Sequence, residues 1–243
     1  MNELPARPAF SPVRRIGPAI LLPLAFLAAC QSAPPAPATG AAPAPAVAPA
    51  IPAAGAQRHA VAADASEIRL LVYRAGALAR VGHSHVVVGT ARGEIRVGTD
   101  AAASGFSLEI PVASFDVDPP AARAEEGEEF ATQISAQGRE ATRQNMLGKD
   151  VLDAERFPVI RIESVALSGP RWAPAVSAEV TLRGVTRAVR FPAAVFASGD
   201  AITVIATFEI RQTEFGITPY SALGGGLQVR DAIEVRARIV ARR

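Results

Sequence analysis

His83 and His85 are the side chains in this sequence best placed for chemistry. They stand in the segment V-G-H-S-H-V at 81–86. Residues two apart on an extended strand project from the same face. Two imidazoles on one face can hold a transition metal when a third ligand converges on them. Glu94, Asp116 and Asp231 are the acidic candidates for that third position. The same pair also fits a polar rim at the mouth of a cavity, where it would hydrogen-bond a ligand head group.

Cys30 is the other reactive side chain, and the chain has no second cysteine. It ends the quartet Leu27-Ala28-Ala29-Cys30, which matches a bacterial lipobox. Arg7, Arg14 and Arg15 precede an apolar run from Ile16 to Ala29. A basic start followed by a short apolar run marks an export signal. The expectation is a signal peptide over 1–29 and an acylated Cys30 that anchors the chain to a membrane. Gln31, in place of Asp, points to the outer membrane, with the protein facing the periplasm. An ordinary signal peptide with an incidental cysteine is the alternative. Once Cys30 is lipidated, no thiol remains for a disulfide, a metal site or a nucleophile.

The charge pattern argues against nucleic acid as a partner. Arg7, Arg14, Arg15 and Glu3 account for the whole formal charge of +2. From residue 31 onward the chain is balanced, so the basic pI is no footprint of phosphate binding. Enzyme signatures are also missing. There is no G-x-S-x-G elbow, and Gly224-Gly225-Gly226 lacks the Lys and Ser/Thr of a phosphate loop. The protein reads as a non-enzyme.

These side chains need a scaffold, and the sequence describes one. Residues 30–58 form a tether rich in Ala and Pro, with seven prolines from Pro34 to Pro52. Such a composition cannot bury a core. At ~3.1 Å per residue it reaches on the order of 80 Å. The folded domain is expected over 59–243, starting with a strand at Glu67 to Arg74. Period-two alternation then recurs. Val176, Ala178, Val180 and Leu182 alternate with polar residues, and Val189, Phe191, Ala193 and Val195 form a second apolar set of period two. Arg183-Gly184 lies between these runs and predicts a β-hairpin. Gly105 to Val112, Pro158 to Leu167, Asp200 to Arg211 and Leu227 to Val240 carry similar patterns. Residues 121–148 break the series as a helical excursion expected to cover or border one end of the sheet structure. Its Glu125, Glu126, Glu128 and Glu129 are expected as a solvated helix start. Gly216 to Gly226 reads as a long flexible loop.

Three segments carry a family resemblance: N-M-L-G-K-D-V-L-D-A-E-R-F-P-V-I-R-I-E-S at 145–164, T-L-R-G-V-T-R-A-V at 181–189 and F-E-I-R-Q-T-E-F-G-I at 208–217. In this order and spacing they resemble the YceI family of bacterial periplasmic proteins, over roughly 66–240. The resemblance implies an all-β fold: an eight-stranded, antiparallel, lipocalin-like barrel with a helical insertion. It also implies that the barrel binds an isoprenoid or similar long lipid as its ligand, with no other cofactor. Many relatives carry one histidine followed by Leu-Gly where this chain has G-H-S-H, which leaves the ligand's identity open.

Alternation then supplies a candidate lining: Phe106, Leu108, Ile110, Ile202, Val204, Ala206, Phe208, Ile210, Ile233 and Val235. An eight-stranded barrel can be filled by its side chains or hold one ligand, and the pattern fits both. Three functions follow: a carrier for an apolar chain, a metal- or haem-associated protein using His83 and His85, and a stress-related structural lipoprotein with a filled barrel. The expected partners are the lipid and the membrane, and the sequence admits a homodimer.

Overall fold

The computed structural model describes residues 55–243. The signal peptide, Cys30 and nearly all of the tether lie outside the described residues. In chain order the strands are β1 (Gln57–Val61), β2 (Glu67–Ala75), β3 (His85–Gly89), β4 (Arg92–Val97), β5 (Gly105–Pro111) and β6 (Asp116–Val117). Two helices follow, α1 (Pro120–Glu125) and α2 (Ala136–Leu147). The remaining strands are β7 (Val159–Ser168), β8 (Ala175–Leu182), β9 (Val185–Ser198), β10 (Ala201–Arg211), β11 (Ser221–Ala222) and β12 (Leu227–Arg242).

All pairings are antiparallel, and from β4 to β12 the long strands pair in chain order before the last returns to the first, while the short β6 adds to β3. β1 and β2 are two halves of one bent stave, and β3 and β4 are two halves of the next. β2 pairs with β3, and β1 with β4. β12 runs beside β10 on one side. On its other side it meets β2 and then β1, where Ala60 faces Arg242. The sheet therefore closes into an eight-staved, lipocalin-like barrel. Closure removes the unpaired edges that an open sheet would expose.

Short-range chemistry fixes the staves. Arg183 and Gly184 both have positive φ, 52° and 75°. That is the two-residue turn whose twist matches a hairpin, and it sets Leu182 opposite Val185. Gly93 has φ 135°, and a Cβ there would lie 2.1 Å from the Ser107 carbonyl oxygen. Only glycine lets β4 press this closely onto β5 where the stave bends. β7 carries an irregularity between Ser164 and Ala166. There the buried Ser164 hydroxyl accepts from the Phe106 N–H at 2.8 Å. The side chain thus satisfies a donor that the bulge leaves over.

The region expected as one helical excursion does two jobs. α1 starts at Pro120, where proline's missing N–H costs nothing. With the short turn at Glu128–Phe130 it packs on the outside of the wall. Ala122 and Phe130 bury Leu71 and Val86 there, and Phe130 meets Tyr73 at 5.4 Å between centroids. α2, capped by the Ser135 hydroxyl accepting from Gly138 N–H, lies under one barrel opening. We call this opening the lower one. The upper one is bordered by the 98–104 and 169–174 loops and by both described chain ends.

Three expectations need correction. An ordered strand, β1, begins at Gln57 and precedes the stave expected first. The glutamates are not simply a solvated helix start. Glu126, whose side chain is 7% exposed, binds both Arg69 and Arg236 at 2.9 Å. Glu129 holds Ser84 and Arg74. Arg69 and Arg236 on the barrel's outer face, and Arg74 near the end of β2, claim these carboxylates. The Gly216 to Gly226 stretch is also not structureless: it includes β11, paired to β12, and a short turn at Leu223–Gly225.

Candidate functional site: a two-chambered barrel

The barrel is hollow. An upper chamber of about 440 Å³ and a lower chamber of about 360 Å³ occupy its interior. Both fall in the range of small-molecule cavities. A close-packed core would leave few voids larger than a water molecule, so a filled barrel does not describe this interior. Ile68, Ile162 and Phe208 line both chambers and form a waist between them.

The alternation places all ten lining candidates on this interior. Phe106, Leu108, Ile202, Val204 and Ala206 face the upper chamber. Ile110, Ile210, Ile233 and Val235 face the lower one, and Phe208 touches both. Phe191, on the facing run of β9, stacks on Phe208 at 4.5 Å. The upper chamber is mostly apolar, with Arg96, Ser104 and Arg171 also bordering it and Trp172 exposed at its rim. The lower chamber gains a polar end: Arg74, His83, His85, Asn145, Gln212 and Gln228 border it.

His83 and His85 meet at that end, with ring centroids 4.7 Å apart in an edge-to-face arrangement. Only His85 belongs to a strand; His83 sits in the loop before β3. His85 Nδ1 donates to Asp118 Oδ2 at 2.6 Å. Asp118 also accepts from the Val86 N–H at 2.9 Å and from the Arg123 guanidinium. Its side chain is wholly buried, and its φ of 54° lies in the left-handed region. Asp tolerates that region better than most residues, but it is uncommon and marks a constrained position. Burial opposes the Asp118 charge. The hydrogen bonds from His85, Val86 and Arg123 outweigh it and hold the carboxyl below the usual carboxylate range. Burial, followed by the proximity of His85, pushes the His83 imidazole below its ordinary value.

The acids expected as third metal ligands go elsewhere. Glu94 pairs with Arg96, Asp231 accepts from Thr213, and Asp116 is a solvent-exposed residue of β6. Among the described residues, no group of three His, Cys, Asp or Glu side chains is placed to hold a metal ion. The carboxylate that does reach His85 is Asp118. In the sequence it stands in Asp118-Pro119-Pro120, a run that marks the end of a strand and carries no sign of a ligand or of a partner for His85. Arg123, Ser84 and Glu129, which complete its surroundings, also carried no signal at the sequence level.

No curated protein matches this sequence. Among solved structures, Burkholderia cenocepacia BcnA aligns over 74% of this chain and 99% of its own, at 17% identity and a TM-score of 0.52. The Campylobacter jejuni YCEI protein aligns over 63% of this chain and 81% of its own, at 13% identity and a TM-score of 0.46. The first likeness shows a shared fold. The model of the YceI-like domain matches residues 60–241, which span every stave of the barrel, and the chain therefore belongs to the YceI-like family.

Proposed function

We propose that this protein is a periplasmic carrier that holds an isoprenoid or other long apolar lipid along the barrel axis, tethered to the outer membrane through Cys30. The observation that carries the reading is the pair of apolar chambers meeting at Ile68, Ile162 and Phe208. A compact ligand would fill one chamber; a long flexible chain passing the waist fills both. Each buried methylene contributes about 0.8 kcal/mol, so chain length translates directly into affinity. The polar lower end beside His83 and His85 suits the one polar group of an amphiphile. The Leu27-Ala28-Ala29-Cys30 quartet and Gln31 support the membrane assignment.

The test is extraction of the purified full chain with organic solvent, followed by mass spectrometry. A stoichiometric long-chain lipid is the expected result. Protein that yields no lipid, and that takes up no prenyl probe after delipidation, would overturn the reading.

A further inference from the structure

We infer that the lower chamber is a head-group site for a neutral lipid bearing a hydroxyl, and that His85 Nε2 accepts the hydrogen bond from that hydroxyl. The inference rests on the lipid-carrier reading above and specifies the ligand's polar end.

Asp118 decides which ring nitrogen is available. It already accepts from the Val86 N–H and from Arg123, and it is held as a carboxylate. It therefore cannot also supply a proton to His85, and Nδ1 must carry the hydrogen between them. In the neutral imidazole this leaves Nε2 as an acceptor. His85 borders the lower chamber, and no protein group among the described residues hydrogen-bonds Nε2. The arrangement is an oriented imidazole backed by a buried carboxylate, the support usually given to a metal-binding or proton-accepting histidine. Among the described residues no third metal-binding side chain converges here, and the complementary group is a donor on a ligand.

Charge excludes an anionic head. Among the described residues, Arg74 is the one Arg or Lys bordering this chamber. Its guanidinium is committed to the Gly82 carbonyl at 2.7 Å and to Glu129 at 3.0 Å. A phosphate or carboxylate entering here would meet the amides of Asn145, Gln212 and Gln228 and no uncommitted guanidinium while leaving water, an unfavourable exchange for a charge. A hydroxyl loses much less on entering and gains Nε2 as a partner.

The test compares three probes on the delipidated full chain: geranylgeraniol, geranylgeranyl diphosphate and the hydrocarbon with the same carbon skeleton. One hydrogen bond in a desolvated site makes the alcohol about five- to tenfold tighter than the hydrocarbon. The diphosphate is expected to bind no better than the hydrocarbon. His85→Leu should bring the alcohol down to the hydrocarbon's affinity and leave the hydrocarbon unchanged. Equal affinity of alcohol and hydrocarbon for the wild type overturns the inference, and so does a preference for the diphosphate. The wild-type ranking needs no variant to fold. If none of the three binds, the carrier reading itself fails. If the hydrocarbon binds and the alcohol shows no advantage, only the head-group assignment fails.

Discussion

Phe191 on β9 and Phe208 on β10 stack with their rings 14° from parallel and their centroids 4.5 Å apart. Phe208 lines both chambers, while Phe191 lines only the upper one. The stack therefore forms one side of the waist, with Ile68 and Ile162 also contributing to it.

That geometry makes ligand length the quantity to measure. Ile162→Trp is expected to close the waist while leaving each chamber open. A prenyl chain long enough to span both chambers should lose more than about tenfold in affinity, because several buried methylenes at about 0.8 kcal/mol each are lost. A chain short enough for one chamber should bind as before. Titration of the variant with a ladder of prenyl alcohols checks this, and an equal loss at every length would refute a waist.

Ala206→Phe addresses the upper chamber alone. In a filled barrel the added ring would cost roughly 1–3 kcal/mol through overpacking. Here the side chain borders a chamber of about 440 Å³, which can take the ring. Thermal melting of delipidated protein is expected to change by less than about 1 kcal/mol in stability. Binding of a long prenyl probe should fall. Strong destabilisation would show that the space is not there.

Acid should weaken the fold through two groups. His83 has a folded pKa below its ordinary value, so the unfolded chain takes up a proton first as pH falls. Its contribution is complete above about pH 6.5 and declines below that, until the folded pKa is passed. Asp118 is also depressed, so its contribution is complete above about pH 4 and is lost as pH falls toward its lower folded value. Urea melts from pH 7 to pH 3 should show both declines. His83→Gln should remove the first and Asp118→Asn the second. Parallel curves for the wild type and both variants would contradict this account.

The outer wall offers a test independent of any ligand. Glu126 bridges Arg69 and Arg236 with its side chain largely shielded from water, while Glu125 meets Arg69 at the surface. Glu126→Gln is expected to cost about 1–3 kcal/mol, the range for a hydrogen bond to a charged group left unmade. Glu125→Gln should cost under about 1 kcal/mol. Chemical denaturation of both variants checks the ordering; equal costs would mean that shielding does not matter here.

Anchoring is tested at Cys30. Cys30→Ser is expected to abolish incorporation of labelled fatty acid and to leave the chain unprocessed at this site, so that it keeps the apolar segment before residue 30. Labelling at the wild-type level would overturn the anchor.

What could be read from the sequence was whatever depends on neighbours along the chain. Ile202, Val204, Ala206, Phe208 and Ile210 alternate without interruption, so the inward face of β10 followed from pattern alone. The Arg183-Gly184 turn followed from its position between two such runs. β1 was missed because Gln57, Arg58 and Ala60 dilute the alternation of His59 and Val61. The double role of 120–147 was also hidden, although Leu70-Leu71-Val72-Tyr73 offered a hint. Four apolar residues in a row on β2 mean that both faces are covered, and α1 supplies the outer cover. Asp118 was not legible as a partner of His85 because 33 residues separate them and only the pairing of β6 with β3 brings them together.

The upper rim holds a last consequence. Gln57 and Arg243 meet there, with the Arg243 guanidinium donating to the Gln57 side-chain oxygen at 2.6 Å. Beginning and end of the described chain are thus neighbours, so the polypeptide traces a near-complete ring around the sheet. A few residues joining 243 to 57 would make a circular permutant feasible, with new ends cut at Gly199-Asp200, an exposed turn at the same rim. Such a permutant would keep every stave and place its termini at the opposite end from His83 and His85, giving a route to surface attachment that leaves the lower opening free.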